Sequence, residues 1–346
     1  MRIYRLAAGS IPKLPATACC IGYFDGFHRG HRELMEKTFE IAKQKGLKTG
    51  LITFDPDPWT IFQPEANLDH ITSLADREKL AQAAGFDEFY VIQFTRAFAA
   101  LSPDEFHALL ERMNVKALIC GYDFHYAVKN SGDIVTLQKQ SAFPVYVVDA
   151  VEEGARKISS TRIEQLIRQG RVYEADSLLG YMYSIPGTIV KGFQRGRLLH
   201  YPTANLQPEP GYIMPEAGVY FGYAVGDFGC WPAMINVGRN LTFAAKKVTI
   251  EAFLFGLSAD LYGHEARYFF ASRLRDVKKF EGLLQLKSQL DKDAERCRRM
   301  NPEFQDELAA TRRVWGPFFQ PPLKKLTPFV ENESAGAKGQ RTGEPL

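Results

Sequence analysis

The stretch that most constrains the fold is Ile21–His31, which reads I-G-Y-F-D-G-F-H-R-G-H. Thr17–Phe24 leads into it as an apolar run of strand length, the pattern of a buried parallel strand. Asp25 and Gly26 then turn the chain, and a helix-period segment runs from His31 to Gly46. Two imidazoles therefore stand where a strand ends and a helix begins, among Gly22, Gly26 and Gly30. Free N–H groups and the helix dipole gather anions at such a junction. Paired histidines there can bind phosphate oxygens and stabilise charge developing at phosphorus. The plainer reading is a loop with two ordinary surface histidines. The three glycines and the strand-to-helix setting weigh against it.

Short apolar runs alternate with helix-length segments over residues 16–150, so this part reads as α/β. Lys48–Phe54 is a strand stopped by Asp55-Pro56-Asp57-Pro58, Ser73–Ala84 is helical, and Glu88–Phe94, Val115–Cys120 and Pro144–Val148 are further strands. Ser102-Pro103-Asp104-Glu105 has the spacing of a helix start with a capping box. This alternation predicts a doubly wound parallel sheet with ligands at the carboxyl ends of its strands. Gly121-Tyr122-Asp123-Phe124 follows one such strand directly. Ile158-Ser159-Ser160-Thr161-Arg162-Ile163 opens another helix, with hydroxyls and free N–H groups suited to phosphate. Thr161-x-x-Glu164 is spaced as a capping box and Gly170 as the helix stop. No Walker-type phosphate loop occurs.

Tyr181–Pro186 links this part to a run of short strands at Gly187–Lys191, Gly218–Val225, Trp231–Val237, Val248–Phe255 and Ala266–Phe270. That spacing predicts a small closed antiparallel barrel. Phe280–Met300 and Pro302–Val314 read as helices. The expected division is residues 1–182, then 183–315, then a Pro-, Lys- and Gly-rich tail over 316–346 whose end lacks any apolar pattern and is expected to be flexible. Within the barrel region, Gly192-Phe193-Gln194-Arg195-Gly196-Arg197 forms a basic, glycine-bearing loop leading to Tyr201-Pro202-Thr203-Ala204-Asn205.

The pattern G-x-F-D-G-x-H-x-G-H resembles the nucleotidyltransferase signature of the bacterial bifunctional riboflavin kinase/FAD synthetase (FMN adenylyltransferase) family. The likeness extends over roughly Ala16–Arg298. The basic loop with P-T-A-N looks like the riboflavin kinase module, and Asn236–Phe243 resembles N-(I/V)-G-x-x-P-T-F with Leu241 for the proline. The resemblance implies a Rossmann-like nucleotidyltransferase domain followed by a small antiparallel β-barrel riboflavin kinase domain with C-terminal helices. It implies that ATP serves twice, phosphorylating riboflavin to FMN and then adenylylating FMN to FAD. By the same resemblance His28 and His31 assist adenylyl transfer. Gly22, Phe24, Gly30, Ser159, Ser160, Thr161 and Arg162 surround its ATP, and Asp123 and Phe124 hold nucleotide and flavin. Gly192, Arg195 and Arg197 bind phosphate in the kinase, where Thr203 and Asn205 hold Mg²⁺ through hard oxygen ligands. Glu251 is the base for the riboflavin 5′-hydroxyl; without the resemblance it reads as a solvent-facing strand residue.

The chain departs from the family at Tyr126, Ala127, Glu164, His200, Phe253 and Gly256. Glu164 replaces an arginine expected near ATP phosphates, which makes adenylylation the weaker expected activity. These departures keep a second reading open, a regulatory paralogue that binds flavin or nucleotide without turnover. A cytidylyltransferase would also use H-x-G-H, but P-T-A-N argues against it.

Composition sets outer limits. The 346 residues suffice for two cores, and 45% hydrophobic with 24% charged residues is an ordinary globular mixture. A net charge of +3 is too small to argue for nucleic acid, and no nucleic-acid partner is expected. No apolar run of about 18 residues predicts a membrane span, and the N-terminus lacks a signal-peptide core. The five cysteines show no metal spacing, and Cys19, Cys20 and Cys120 lie in strand-like runs as expected buried thiols. A cytoplasmic enzyme acting on riboflavin, FMN and ATP is the expectation; the number of copies in an assembly stays open.

Overall fold

Parallel pairing builds the first half. The computed structural model describes residues 1–63, 69–192, 195–240 and 247–319. Its first elements are β1 (Arg2–Leu6), β2 (Thr17–Ile21), α1 (Arg29–Lys45), β3 (Lys48–Asp55), α2 (Pro58–Phe62), α3 (Leu74–Ala84) and β4 (Glu88–Gln93). Then follow α4 (Arg96–Ala99), α5 (Pro103–Arg112), β5 (Val115–Gly121), α6 (Ile134–Gln140), β6 (Val145–Val148), α7 (Ser160–Arg168) and α8 (Val172–Leu179). The six strands pair in the order β1-β4-β3-β2-β5-β6. Every residue of β2 is buried, because both its neighbours and both layers of helices cover it. The order runs one way from β2 through β3 to β4 and the other way from β5 to β6. The topology therefore reverses between β2 and β5, where ligands of such sheets bind.

Two features of this half differ from the sequence reading. The edge strand β1 pairs with β4 from Arg2↔Glu88 to Leu6↔Ile92. Its exposed Arg2, Ile3 and Arg5 give no buried pattern from which to read it. The predicted strand Thr17–Phe24 stops at Ile21, because Phe24 turns into the left-handed region at φ 58°. The capping box at Ser102 and Glu105 forms as its spacing predicts, with Pro103 in the first turn.

The second half contains β7 (Tyr183–Val190), β8 (Ala204–Pro208), β9 (Gly218–Gly226), β10 (Gly229–Asn240), β11 (Lys247–Leu254) and β12 (Glu265–Arg275). The helices α9 (Leu283–Glu303) and α10 (Gln305–Val314) follow. The strands close a barrel in the order β10-β11-β8-β7-β12-β9, all pairs antiparallel. The segment expected as a linker, Tyr181–Pro186, already enters β7, where Tyr183 pairs with Phe270 and Pro186 with Arg267. The strand absent from the sequence reading is β8, which carries the last residues of P-T-A-N. Among the described residues, no helix is long and apolar enough to cross a membrane.

Two apolar cores flank the parallel sheet. One holds Cys19, Ile21, Tyr90, Leu109, Leu118 and Leu137. The other begins with Ala18, Leu34, Ile163 and Leu179 and runs through Tyr183 and Ile185 into the barrel, as far as Phe269 and Trp315. Gly316–Phe319, the start of the expected tail, forms a single turn with Phe318 against Trp315 and Phe319 against Phe269. The expectation for 320–346 lies outside the described residues, as do Phe193, Gln194 and Leu241–Phe243 of the motifs.

Candidate active sites

The first site is built on the turn after β2. Gly26 takes φ 80°, which L-residues rarely adopt. Asp25 is buried and accepts hydrogen bonds from the Ile71 and Thr72 amides and from Thr72 Oγ1, at 2.8–3.1 Å. Thr72 Oγ1 in turn receives the Gly26 N–H at 2.8 Å. Tyr181 Oη donates to the Gly26 carbonyl at 2.6 Å, and Ser160 Oγ to the Asp25 carbonyl at 2.9 Å. Beneath the turn, Arg77 donates from Nη1 to the Tyr23 carbonyl at 2.8 Å, and its guanidinium stacks 4.3 Å from the Tyr23 ring. The loop is thus held from four sides.

His28 caps α1, its side chain accepting from the His31 amide. The two rings stack with centroids 3.6 Å apart and planes 16° from parallel, and Phe24 meets His31 edge-on at 5.1 Å. Gly30 leaves room for this pair, since a Cβ there would press on the His28 ring at 3.2 Å. Burial pushes the His28 pKa down to about 3, and the positive charge of Lys157 adds to the effect. His31 is likewise held far below the usual histidine range by burial, then by His28 and Lys157. Both imidazoles are therefore neutral at pH 7. His31 Nδ1 is buried without a hydrogen-bond partner. An orphaned polar atom beside a helix start fits a site that receives a polar ligand.

The switch point's other wall is the turn after β5. Asp123 pairs with Lys157, whose ammonium lies 4.9 Å from the Tyr122 ring. Phe124 stacks on Tyr126 at 5.8 Å, and the Tyr126 hydroxyl meets buried His107 Nε2 at 2.7 Å. Ala127 stands at φ 64° and ψ −177°, a conformation suited to the glycine the family carries there. Lys157 escaped the sequence reading, although it directly precedes Ile158-Ser159-Ser160. So did Thr72, Arg77 and Tyr181, which lie far from the motif in sequence.

The hydroxyl helix differs from expectation. Ser159, not Thr161, caps α7 by accepting from the Arg162 amide at 3.3 Å, and the Thr161–Glu164 capping box does not form. Glu164 instead pairs with Arg168 at 3.0 Å, one helical turn on, because a cap at Ser159 puts Glu164 inside the helix. Arg168 also reaches Asp69 at 3.4 Å. Arg162 donates from Nη1 to the carbonyls of Glu153, Arg156 and Lys157. Thr161 is exposed, and Gly22 lies tight against the Phe24 ring.

The second site lies on β8 and β11. Asn205 pairs opposite Glu251, and Glu251 also lies opposite Asn236 on β10. Directly opposed residues share one face of a sheet, so these three polar side chains gather together. Thr203 Oγ1 is 3.5 Å from Glu251 Oε2, and Asn205 Nδ2 donates to the Thr203 carbonyl at 3.3 Å. Gly192 lies flat on this group: a Cβ there would fall 2.4 Å from the Asn205 amide. Arg195–Leu199 forms a short turn; the side chains of Arg195 and Arg197 lie outside the described part. His200 keeps a glycine-like φ of 61° where the family has glycine. Phe253 packs edge-on against Tyr201 at 4.9 Å, and Gly256 turns the chain at φ 85°.

The model of the FAD synthetase family matches residues 11–162, and that of the riboflavin kinase family matches 179–301. A bifunctional riboflavin kinase/FMN adenylyltransferase from Listeria monocytogenes is 34% identical over 291 residues, covering 83% of this chain and 93% of that protein. Its counterpart from Bacillus subtilis is 32% identical, covering 80% and 90%. The chain belongs to the bifunctional riboflavin kinase/FMN adenylyltransferase family. A crystal structure described as a macrolide-efflux protein from Streptococcus pneumoniae is also similar, with a TM-score of 0.80 at 33% identity, covering 85% of this chain and 98% of that one. The first family model falls on the parallel sheet with its histidine pair, and the second on the barrel with Glu251. Both modules in one chain favour an enzyme over a regulatory paralogue. Gln305–Phe319 lies beyond both matches.

Proposed function

We propose that this chain makes FAD from riboflavin in two ATP-dependent transfers, with riboflavin phosphorylation in residues 183–315 and FMN adenylylation in residues 1–182. In the barrel, Glu251 accepts the proton of the riboflavin 5′-hydroxyl as the hydroxyl oxygen attacks the γ-phosphorus of ATP; the bond from that phosphorus to the bridging oxygen breaks, and ADP leaves. Thr203 and Asn205 offer hydroxyl and amide oxygens, a hard donor set that fits Mg²⁺, and the Asn205 amide packed beneath Gly192 supports that fit. Bound there, Mg²⁺ would neutralise charge on the ATP phosphates. Gly192, Arg195 and Arg197 complete the phosphate contacts.

In the adenylylation site, the FMN phosphate is already an anion and needs no base. It attacks the α-phosphorus of ATP, and pyrophosphate leaves. His28 and His31 are neutral, so they act as hydrogen-bonding groups on phosphoryl oxygens while Lys157 supplies positive charge. Ser159 and Ser160 hold the helix start and the loop, Gly22, Phe24 and Gly30 shape the pocket, and Asp123 and Phe124 face nucleotide and flavin. Thr161 stays available to the ligand. Arg162 braces the backbone before α7 through Nη1.

The observation that carries this reading is the stacked His28–His31 pair at the switch point, in a chain that also gathers Glu251, Thr203 and Asn205 on one barrel face. The test separates the two transfers. With riboflavin, ATP and Mg²⁺, Glu251→Gln should lower FMN formation by roughly 10²–10⁴-fold, while supplied FMN is still converted to FAD. His28→Ala should do the reverse. If Glu251→Gln phosphorylates riboflavin at the wild-type rate, or if either variant damages both reactions equally, the assignment is wrong.

A further inference from the structure

A buried ion pair joins the two halves within the segment that holds the His28/His31 loop. Arg267, on β12 of the barrel, is 3% exposed, and Asp76, on α3 of the first half, is 1% exposed. Arg267 Nη2 donates to Asp76 Oδ1 at 2.5 Å, and Arg267 Nη1 to Ser184 Oγ at 3.1 Å. Tyr212 Oη donates to Asp76 Oδ2 at 2.5 Å and contacts Ser73 Oγ at 3.0 Å. Backbone bonds zip the same segment to the barrel: His70 N–H to the Gly211 carbonyl at 2.7 Å, and Ile213 N–H to the His70 carbonyl at 3.1 Å. Trp315 and Phe318 stack on the Arg267 guanidinium at 4.3 and 5.0 Å. Those two aromatics belong to the segment beyond the family matches.

Residues 70–76 are the same stretch that grips the histidine loop. Thr72 and Ile71 hold Asp25, and Thr72 holds Gly26. Ser73 caps α3 by accepting from the Asp76 amide at 3.1 Å. The contacts therefore run from Arg267 through Asp76, Ser73 and Thr72 to Asp25 and the turn that presents His28. Glu251 sits elsewhere in the barrel: β11 pairs with β8 and β10, whereas β12 pairs with β7 and β9.

We propose that Arg267, although it lies in the kinase barrel, is a positioning residue for adenylyl transfer, acting through Asp76 and residues 70–76 on the His28/His31 loop. Without the guanidinium, Asp76 is a buried carboxylate lacking its counter-charge, and such a group moves or takes up a proton. Either response shifts the first turn of α3, and Ser73 and Thr72 with it. Displacement of a catalytic group by about 1 Å costs as much as 10²-fold in rate. The phosphorylation site shares none of these contacts. The inference rests on reading the His28/His31 loop as the adenylylation site.

The test measures both reactions in full-length protein, FAD from supplied FMN and FMN from supplied riboflavin. Arg267→Met should lower kcat for FAD formation about tenfold or more, with KM for FMN and the rate of riboflavin phosphorylation within about twofold of wild type. Arg267→Lys should recover part of the loss by restoring the charge. Tyr212→Phe deletes one hydroxyl and keeps the ring, and should show a smaller, equally selective loss; it decides the matter if Arg267→Met does not fold. An unchanged ratio of the two activities, whether both hold or both fall, overturns the inference. His28→Ala is run in parallel. If it too spares FAD formation, the site reading fails; if it alone lowers FAD formation, only the role of Arg267 fails.

Discussion

His28 is 5% exposed and stacked on a second imidazole, and this setting decides its protonation. Folding holds its pKa near 3, below the usual value of 6.5, by burial first and Lys157 second. Between those values the unfolded chain binds the proton and the folded one does not. Stability from this group is therefore complete above pH 6.5 and is lost progressively as the pH falls toward 3. The loss should be on the order of a few kcal/mol by pH 4. Thermal unfolding followed from pH 7 to pH 4 should show a steeper fall in Tm for wild type than for His28→Gln. Parallel curves would show that the imidazole is not kept neutral by the fold.

At the scale of elements, the turn after β5 shows a family device kept in shape but altered in residue. Tyr126 and Gly132 exchange backbone bonds at 3.0–3.1 Å, the Val128 amide reaches the Leu101 carbonyl at 2.8 Å, and His107 anchors the Tyr126 hydroxyl. These contacts hold Ala127 at φ 64° and ψ −177° although it has a Cβ. Such a conformation costs a non-glycine residue about 1–3 kcal/mol. Ala127→Gly should raise stability by about 1 kcal/mol after the extra freedom of unfolded glycine is subtracted, visible as a higher Tm. A lower Tm would mean that the turn accommodates alanine without strain. On α7, Glu164 pairs with Arg168 one turn on at 3.0 Å, in place of the capping box that its spacing suggested.

For the whole molecule, the decisive feature is a core that does not stop at the junction. One apolar cluster runs from Ala18 beneath α1 to Trp315 behind the barrel. Met182 N–H donates to Thr311 Oγ1 at 2.9 Å, and Tyr183 N–H to buried Asp176 at 2.7 Å, so the backbone between the halves is bonded from both sides. A large apolar interface couples units that otherwise move independently. Calorimetry of the wild-type chain should give one transition whose van't Hoff and calorimetric enthalpies agree. Two resolved transitions would show that the halves are thermodynamically independent despite these contacts.

The sequence by itself determined what depends on near neighbours. The strand–turn–helix around His28 and His31, the capping box at Ser102, the stop of α1 at Gly46 and the barrel's run of short strands all follow from period, caps and turn residues within a few positions. Glu251, Thr203 and Asn205 were marked by the family resemblance and not by local period, which reads Glu251 as a solvent-facing strand residue. Only the tertiary structure decided what rests on distant partners. It joined β1 to an edge whose own pattern is weak, and it carried P-T-A-N into β8 opposite Glu251. It also drew Arg162 onto backbone carbonyls and set Lys157 beside the histidines. Arg267 meets Asp76 across 191 positions of chain. No local period records such a pairing; it exists because helices of the first half pack against the barrel, and a charge buried there is stable only beside its opposite.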